Sequence, residues 1–393
     1  MRRTSSPTLV VIVLASSLCV VTSSEFQVAA MLTAMSADLG APVADLGLLV
    51  TVYSLGMGCG GPVVAWALRR LRPRRALVLV MACYAVAEAL AGATSETNLL
   101  IPLRLVAGAL SGATFGMALS TGMRLSDERG RARMSAGVLT GLMAGTLLGL
   151  PLSHGLATTV GWRASFVVLA AAAAAMALAV RLAVPEAPGR SGERPASLGA
   201  LRNGHLWLRY LTSFLTIGGA FTAFTFIDPL LQRAGLTAPQ ATLTMFGFGA
   251  SAFTVNHLAG RVPAGAARGW LVSGVIAQLA ALLVFLLAPG LSPLIVTATV
   301  FLGGAGIALN PLLVNRVITV GEPNVLVNTV HTSAITLGVA AATTLGSRAI
   351  TVTGDLSGTV LVGLAFSVAA VLITATTRGG DPLGPSRDRA GRP

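Results

Sequence analysis

Long apolar runs follow one another along almost the whole chain, separated by short breaks that contain charged residues, proline or glycine. A helix needs about 20 predominantly apolar residues to cross the hydrocarbon core of a bilayer. The pattern therefore predicts an all-α integral membrane protein with twelve transmembrane helices. The predicted spans are 8–34, 46–68, 76–93, 99–122, 134–156, 164–184, 206–231, 238–258, 269–289, 292–315, 325–347 and 356–376.

One polar stretch interrupts these runs in the middle of the chain and indicates two halves of six helices each. The expected units are an N-terminal half 1–184, a cytoplasmic linker 185–205, a C-terminal half 206–377 and a disordered tail 378–393. Gly61, followed by arginines, ends span two, and Gly260 with Arg261 ends span eight about half a chain later. Such a weak repeat is typical of transporters that bind their substrate between two halves.

Composition excludes several classes of function. Hydrophobic residues make up 54% of the chain and charged residues only 10%, so no additional soluble domain is expected. All 27 basic residues are arginine, and a chain without lysine has no Walker motif for ATP. The four histidines and three cysteines show no metal-binding spacing. We therefore expect no cofactor, no metal and no enzymatic activity, and an ion gradient as the source of energy.

The arginines are distributed very unequally between the two sides of the predicted membrane. Arg163, Arg233 and Arg348 fall on one side, Arg104 lies inside a span, and the other 23 fall on the opposite side. Arginine-rich loops normally remain cytoplasmic. The net charge of +13 is thus explained by the orientation of the chain in the membrane, and we expect no binding to nucleic acid. We expect both termini in the cytoplasm and a location in a bacterial inner membrane.

The start of the chain allows a second interpretation. Met1, Arg2 and Arg3 before an apolar run are also the pattern of a secretory signal peptide. The run continues to Ala34 and is long enough to span, which favours a first transmembrane helix.

Glu25 interrupts the first apolar run. An ionisable group at membrane depth costs about 2.5–3.5 kcal/mol, so it marks a functional site by default. Thr22 and Ala29 share its helical face and are small enough to let water or a substrate approach. Glu25 is therefore a candidate proton carrier, and the alternative is a structural acid near the membrane interface.

Two further charges lie inside predicted spans of the first half. Arg104 shares a face of span four with Gly108, Ser111 and Gly112, which would permit close helix packing. The alternative for Arg104 is a side chain that extends outward to the membrane surface. Glu88 is either the ion partner of this arginine or a solvated residue at the end of span three.

Span five and the loop after span two carry the remaining motifs of the first half. Glycines four residues apart form a smooth ridge for helix packing, and a proline kinks the helix that follows. These residues are Gly141, Gly145, Gly149 and Pro151. The loop contains Arg70, Arg74 and Arg75, for which Asp127 and Glu128 are candidate partners.

A mixed aromatic and polar lining suits an amphipathic organic molecule. Polar residues recur at helical spacing in span eleven, and others lie at the outer end of span seven. The alternative is ordinary hydrogen bonding between helices. The candidates for a substrate cavity are Tyr53, Phe224, Asp228, Asn310, Asn328, His331, Thr332 and Thr336.

Taken together, these motifs resemble the twelve-span drug:proton antiporters of the major facilitator superfamily. The resemblance is specific in spans one, four and five, and it implies the major facilitator fold. It also implies a monomeric, proton-coupled exporter of a drug, sugar or metabolite, with Glu25, Arg104 and Glu88 in proton coupling and span five as an antiporter motif. The gating loop of the family usually contains an aspartate and a glycine, and Arg70 and Pro73 stand near those places here. A facilitated uptake carrier and a non-transporting membrane sensor remain the alternatives.

Overall fold

The computed structural model describes residues 6–127, 130–186, 202–263, 265–321 and 325–376, and its regular elements are all helical. In the first half these are α1 (Pro7–Gln27), α2 (Leu32–Leu39), α3 (Val43–Leu55), α4 (Gly61–Ala67), α5 (Pro73–Ala93), α6 (Thr97–Arg124), α7 (Arg131–Thr159) and α8 (Trp162–Ala183). In the second half they are α9 (Gly204–Thr225), α10 (Ile227–Arg233), α11 (Ala238–Ala259), α12 (Ala267–Leu287), α13 (Ser292–Ala305), α14 (Asn310–Gly321), α15 (Val325–Thr353) and α16 (Ser357–Thr376). Most of the linker, together with Glu128 and the predicted tail, lies outside the described residues.

The predicted all-α membrane fold is confirmed. Ten helical segments of the described chain are long and apolar enough to cross a membrane, and the bent pair α9–α10 makes an eleventh. The remaining predicted span, 238–258, corresponds to α11, which has 22 residues without any Asp, Glu, Lys or Arg but is less apolar than the others. Its threonines and glycines, with Asn256 and His257, lower its mean hydropathy.

The second span continues from α3 to α4 through a π-helical turn, Gly56–Gly60. Three other spans are discontinuous, which the apolar pattern did not indicate. The first span was predicted to continue to Ala34, but α1 ends at Gln27 and the separate helix α2 begins at Leu32. The seventh bends by 52° before α10, where Pro229 removes a backbone N–H donor from the first turn. The tenth breaks after Ala305, and Pro311 lies at the start of α14 in the same way.

The two halves contact each other along two seams. In the first seam α3 packs on α15, and the hydroxyls of Thr51 and Thr343 lie 2.7 Å apart. In the second seam α7 packs on α11, where Gly249 lies against the backbone of Thr146 and Leu147.

The halves close together at one end of the bundle. We call this the arginine-poor end, formed by residues 28–42, 94–96, 160–161, 226–237, 288–291 and 354–356, and we call the opposite end the arginine-rich end. The first half joins the large shared apolar cluster only near the arginine-poor end, with residues such as Phe26, Met35 and Leu49 packed with Phe224 and Leu230. Among the described residues, the apolar clusters at the arginine-rich end of α1 and at the start of α9 are separate. The structure is thus closed at the arginine-poor end.

Surface ion pairs connect elements within each half. Arg163 and Trp162 donate hydrogen bonds to Asp38, and these bonds, chiefly that of Arg163, lower the pKa of this carboxyl. Arg233 donates to Asp355 over 2.8 Å, and together with Ser357 it lowers the pKa of Asp355 to about 2. At the other end, Arg74 pairs with Glu186 at 3.0 Å, a partner that the sequence analysis did not name.

The glycines of span five pack against the first helix as a ridge. A Cβ at Gly141 would overlap the backbone of Ala15, and one at Gly145 would lie 2.7 Å from the carbonyl oxygen of Cys19. A Cβ at Gly149 would lie 2.7 Å from the Cα of Ser23. The α7 helix continues through Pro151 without a break. Only glycine therefore allows α1 and α7 to approach this closely.

Two glycines of α6 allow a direct test of this close packing. A Cβ at Gly108 would overlap the backbone of Tyr53 in α3, whereas a Cβ at Gly116 would meet nothing within 4 Å. We expect Gly108→Ala to lower the free energy of unfolding by about 1–3 kcal/mol because the helices must separate. Gly116→Ala is the matched control and should be neutral or stabilising by about 0.5–1 kcal/mol. Thermal unfolding of the purified variants in detergent measures both, and equal melting temperatures would contradict the packing.

Candidate functional site

The centre of the first half contains a fully buried arginine. The side chain of Arg104 is 0% exposed and donates hydrogen bonds to the hydroxyl and the carbonyl oxygen of Ser24, at 3.0 and 2.9 Å. Its guanidinium carbon lies 4.2 Å from the centre of the Tyr53 ring, a cation–π contact. The Arg104 side chain therefore does not extend outward to the membrane surface, which was the alternative interpretation.

Glu88 compensates the charge of Arg104. Its carboxylate lies 3.5 Å from the guanidinium and is 1% exposed. It accepts hydrogen bonds from Ser24 at 2.7 Å and from Gln27 at 2.9 Å. Because a buried ion pair needs such additional hydrogen bonds to offset its desolvation, these two polar residues of α1 are part of the site.

Gln27 extends the polar network to two more helices. Its carbonyl oxygen accepts a hydrogen bond from Ser165 of α8 at 3.2 Å, and Ser165 lies 3.0 Å from the hydroxyl of Ser153 in α7. Neither Ser24 nor Gln27 was predicted from the sequence as a site residue. Both could have been found from the polar residues that cluster between 22 and 27 inside an otherwise apolar span.

Glu25 lies beside this network but is not fixed by it. Its side chain is half-buried, and within the described part of the chain its carboxylate accepts no hydrogen bond and forms no ion pair. Arg104 acts on it electrostatically. Glu25 can thus gain or lose a proton without breaking a hydrogen bond, while the pair of Arg104 and Glu88 remains intact.

The polar residues predicted to line one substrate cavity are distributed over several places. In α15, Thr336 lies against Gly58, and Ser333 donates a hydrogen bond to the carbonyl of Gly58 at 3.0 Å, so this face forms part of the seam with the second span. Thr332 is half-buried one turn before Thr336, and Asn328 is exposed. Ordinary hydrogen bonding between helices therefore accounts for a substantial part of this face of α15.

His331 and Asn310 lie elsewhere in the second half. The ring of His331 lies 2.8 Å from the hydroxyl of Ser213 and stacks on Tyr210 at 6.0 Å between ring centres. Asn310 begins α14 at the helix break, and its side-chain oxygen is buried without a hydrogen-bond partner among the described residues. Tyr53, in turn, belongs to the Arg104 site.

Phe224 and Asp228 lie at the closed, arginine-poor end. Phe224 belongs to an aromatic cluster with Phe26, at 5.1 Å between ring centres, and Phe248, at 5.3 Å. Asp228 is 1% exposed and accepts a hydrogen bond from the backbone N–H of Thr33 at 2.8 Å. In this state both residues close the end of the molecule and neither lines an open cavity.

A buried glutamine bridges three helices of the second half. Gln278 of α12 is 0% exposed and donates to the Thr216 carbonyl at 3.2 Å and to the Ser367 hydroxyl at 2.7 Å. Its own oxygen has no partner among the described residues and lies near the helix break at Gly306. Gln278 was not predicted from the sequence, because a single glutamine in an apolar run resembles a packing residue.

No group of three or more metal-ligating side chains occurs in the parts of the chain that the structure describes. The cysteines Cys19, Cys59 and Cys83 are unpaired.

Residues 13–343 match the family model of the Major Facilitator Superfamily. The chain is 31% identical over 377 residues to a chloramphenicol resistance protein of Streptomyces lividans, covering 91% of this chain and 94% of that protein. It is 25% identical to a probable sugar efflux transporter of Mannheimia succiniciproducens, covering 76% and 75% of the two chains. The fold is similar to the crystal structure of a D-xylose-proton symporter, with a TM-score of 0.73, 13% identity and coverage of 94% and 97%.

The buried ion pair predicts a non-additive effect on stability. Arg104→Met leaves the Glu88 carboxylate buried without its cation, which should lower the free energy of unfolding by about 3–5 kcal/mol. The double variant Arg104→Met/Glu88→Gln removes both charges and should recover a large part of that loss. Unfolding of the purified proteins in detergent measures the difference, and a double variant no more stable than Arg104→Met would show that the two charges are not coupled.

Proposed function

The chain belongs to the major facilitator superfamily, and from this premise we propose that it exports a small amphipathic organic compound in exchange for protons. The family makes the chain a membrane transporter and not an enzyme. Proton coupling is supported chiefly by Glu25, an acid without a fixed partner that lies beside a buried arginine whose charge is paired with Glu88.

In the proposed mechanism Glu25 carries the proton and Arg104 responds to its charge. Arg104 is held by Ser24, Glu88 and Tyr53, so it does not leave when Glu25 is protonated. When Glu25 loses its proton, the new negative charge is attracted to the same guanidinium. Protonation therefore changes the charge facing the centre of the molecule while the network around Arg104 stays in place.

The architecture supports transport by alternating access. The halves meet at seams lined by small residues, and the arginine-poor end is closed. If the arginine-rich loops are cytoplasmic, as their charge favours, the structure corresponds to an inward-facing state. Rocking of the halves would then expose the centre to the other side. A membrane potential contributes about 2.3 kcal/mol per charge per 100 mV to such exchange.

Efflux is favoured over uptake by the relatives and by the span-five motif. One relative is called a chloramphenicol resistance protein and another a probable sugar efflux transporter. We accordingly place chloramphenicol-like drugs, sugars and nucleosides among the candidate substrates. The proposed protein is a monomer in a bacterial inner membrane with both termini in the cytoplasm, and its partners are the substrate, protons and the bilayer.

We expect Glu25→Gln to abolish substrate-evoked proton movement. The measurement uses proteoliposomes that contain a pH-sensitive dye, to which chloramphenicol, sugars and nucleosides are added. The reason is that the amide has the size of the carboxyl but does not exchange a proton in this pH range. Glu96→Gln, an exposed acid at the arginine-poor end, is the control and should retain the wild-type signal.

Two outcomes would contradict the proposal. Full proton coupling in Glu25→Gln would place the coupling acid elsewhere. Accumulation of the substrate by right-side-out vesicles, without accumulation by inverted vesicles, would show uptake in place of efflux.

A further inference from the structure

An ion pair joins the two halves at the arginine-poor end. The Nε2 atom of His154 in α7 lies 3.6 Å from the carboxylate of Asp228 in α10. Both side chains are 2% exposed. Among pairs of residues that the structure describes, none of the other ion pairs joins the two halves. The transport site around Glu25 and Arg104 does not include this pair.

Asp228 is held between the two halves by hydrogen bonds. Its two oxygens accept hydrogen bonds from the N–H of Thr33 in α2 at 2.8 Å and from Gln232 at 2.9 Å. Thr33 belongs to the first half and Asp228 to the second, so the carboxylate binds two elements of the opposite half. No other acidic or basic side chain of the described chain forms an ion pair with Asp228 or His154.

Both ring nitrogens of His154 face a hydrogen-bonding group. Its Nδ1 lies 2.7 Å from the hydroxyl oxygen of Thr242 in α11, and its Nε2 faces Asp228. The Thr242 hydroxyl also lies 3.0 Å from the carbonyl of Ala238, to which it can donate its single proton. A protonated imidazole donates from both nitrogens, so the contacts with Thr242, Ala238 and Asp228 are satisfied together. A neutral imidazole has one N–H, so either Nε2 has no proton for Asp228 or the Thr242 proton must turn from Ala238 to Nδ1.

The closed arrangement is most attractive when the imidazole of His154 is protonated. An imidazolium then faces a carboxylate in a buried interface, where opposite charges attract strongly. A neutral imidazole lacks this charge and cannot satisfy all three contacts at once. When the arginine-poor end opens, both groups reach water and this difference is lost.

We propose that His154 and Asp228 form a second proton-binding site, whose occupied form holds the arginine-poor end closed. A proton bound from that side stabilises closure, and loss of the proton favours opening. The inference rests on the proposed alternating access. It adds a proton-binding site that acts by holding the two halves together at the arginine-poor end, independently of Glu25.

The test measures the accessibility of the closed end to a thiol reagent. Cys19, Cys59 and Cys83 are replaced by alanine, and the reporter is Ser347→Cys. Ser347 is 4% exposed and lies in the seam beside Gly47 and Phe226. A membrane-impermeant maleimide is added at the arginine-poor face of proteoliposomes. The labelling rate is divided by that of Gly290→Cys, an exposed loop residue at the same end, which corrects for thiol ionisation.

We expect the normalised labelling of the protein with His154 and Asp228 intact to rise with pH. Because one proton is bound in the closed state and released in the open state, the open-to-closed ratio changes by at most about tenfold per pH unit. His154→Ala should label several-fold faster at low pH and lose the pH dependence. Asp228→Asn, a replacement of similar size, should also lose the pH dependence because an amide carries no negative charge that a protonated His154 could pair with.

The matched control is His257→Ala, which removes an exposed histidine at the arginine-rich end of α11. It should retain the pH dependence of the intact protein. The proposal is overturned if His154→Ala and Asp228→Asn both label at the rate and with the pH dependence of the intact protein. The measurement needs neither substrate nor coupling by Glu25, so it can succeed or fail independently of the proposed function.

Discussion

The requirement to keep one positive charge inside a membrane protein organises the first half. Arg104 has no access to water, so its charge must be balanced by groups on neighbouring helices. Glu88 supplies the opposite charge, and Ser24 supplies a carbonyl and a hydroxyl. The ring of Tyr53 reaches the guanidinium only because Gly108 brings α6 close to α3. The small residues of span four and the charge they surround are thus parts of one constraint.

Buried polar side chains bridge helices in both halves, but with different chemistry. Glu88 in the third span is bound by the first and fourth spans, and Gln278 in the ninth is bound by the seventh and twelfth. Glu88 carries a charge that Arg104 balances, whereas Gln278 and its described partners are neutral.

Much of the fold could be predicted from the sequence because the bilayer imposes length and apolarity on each span. The breaks before α10 and α14 could have been anticipated from Pro229 and Pro311, whereas no proline or glycine marks the end of α1 at Gln27. The pairing of Arg104 with Glu88 was one of two open alternatives, because helical spacing does not show which spans are neighbours. For the same reason the face of Thr336 could not be assigned to the seam or to a cavity. The pair of His154 and Asp228 connects residues far apart in the chain, and no local pattern indicates it.

The glycine ridge between α1 and α7 has a mechanical consequence. Helices whose backbones touch through Gly141, Gly145 and Gly149 have no space in which to slide or rotate against each other. Glu25 lies on one of these helices and His154 on the other, so the close packing couples their positions. In the proposed rocking motion, a tilt of the first half would therefore change the surroundings of both residues together.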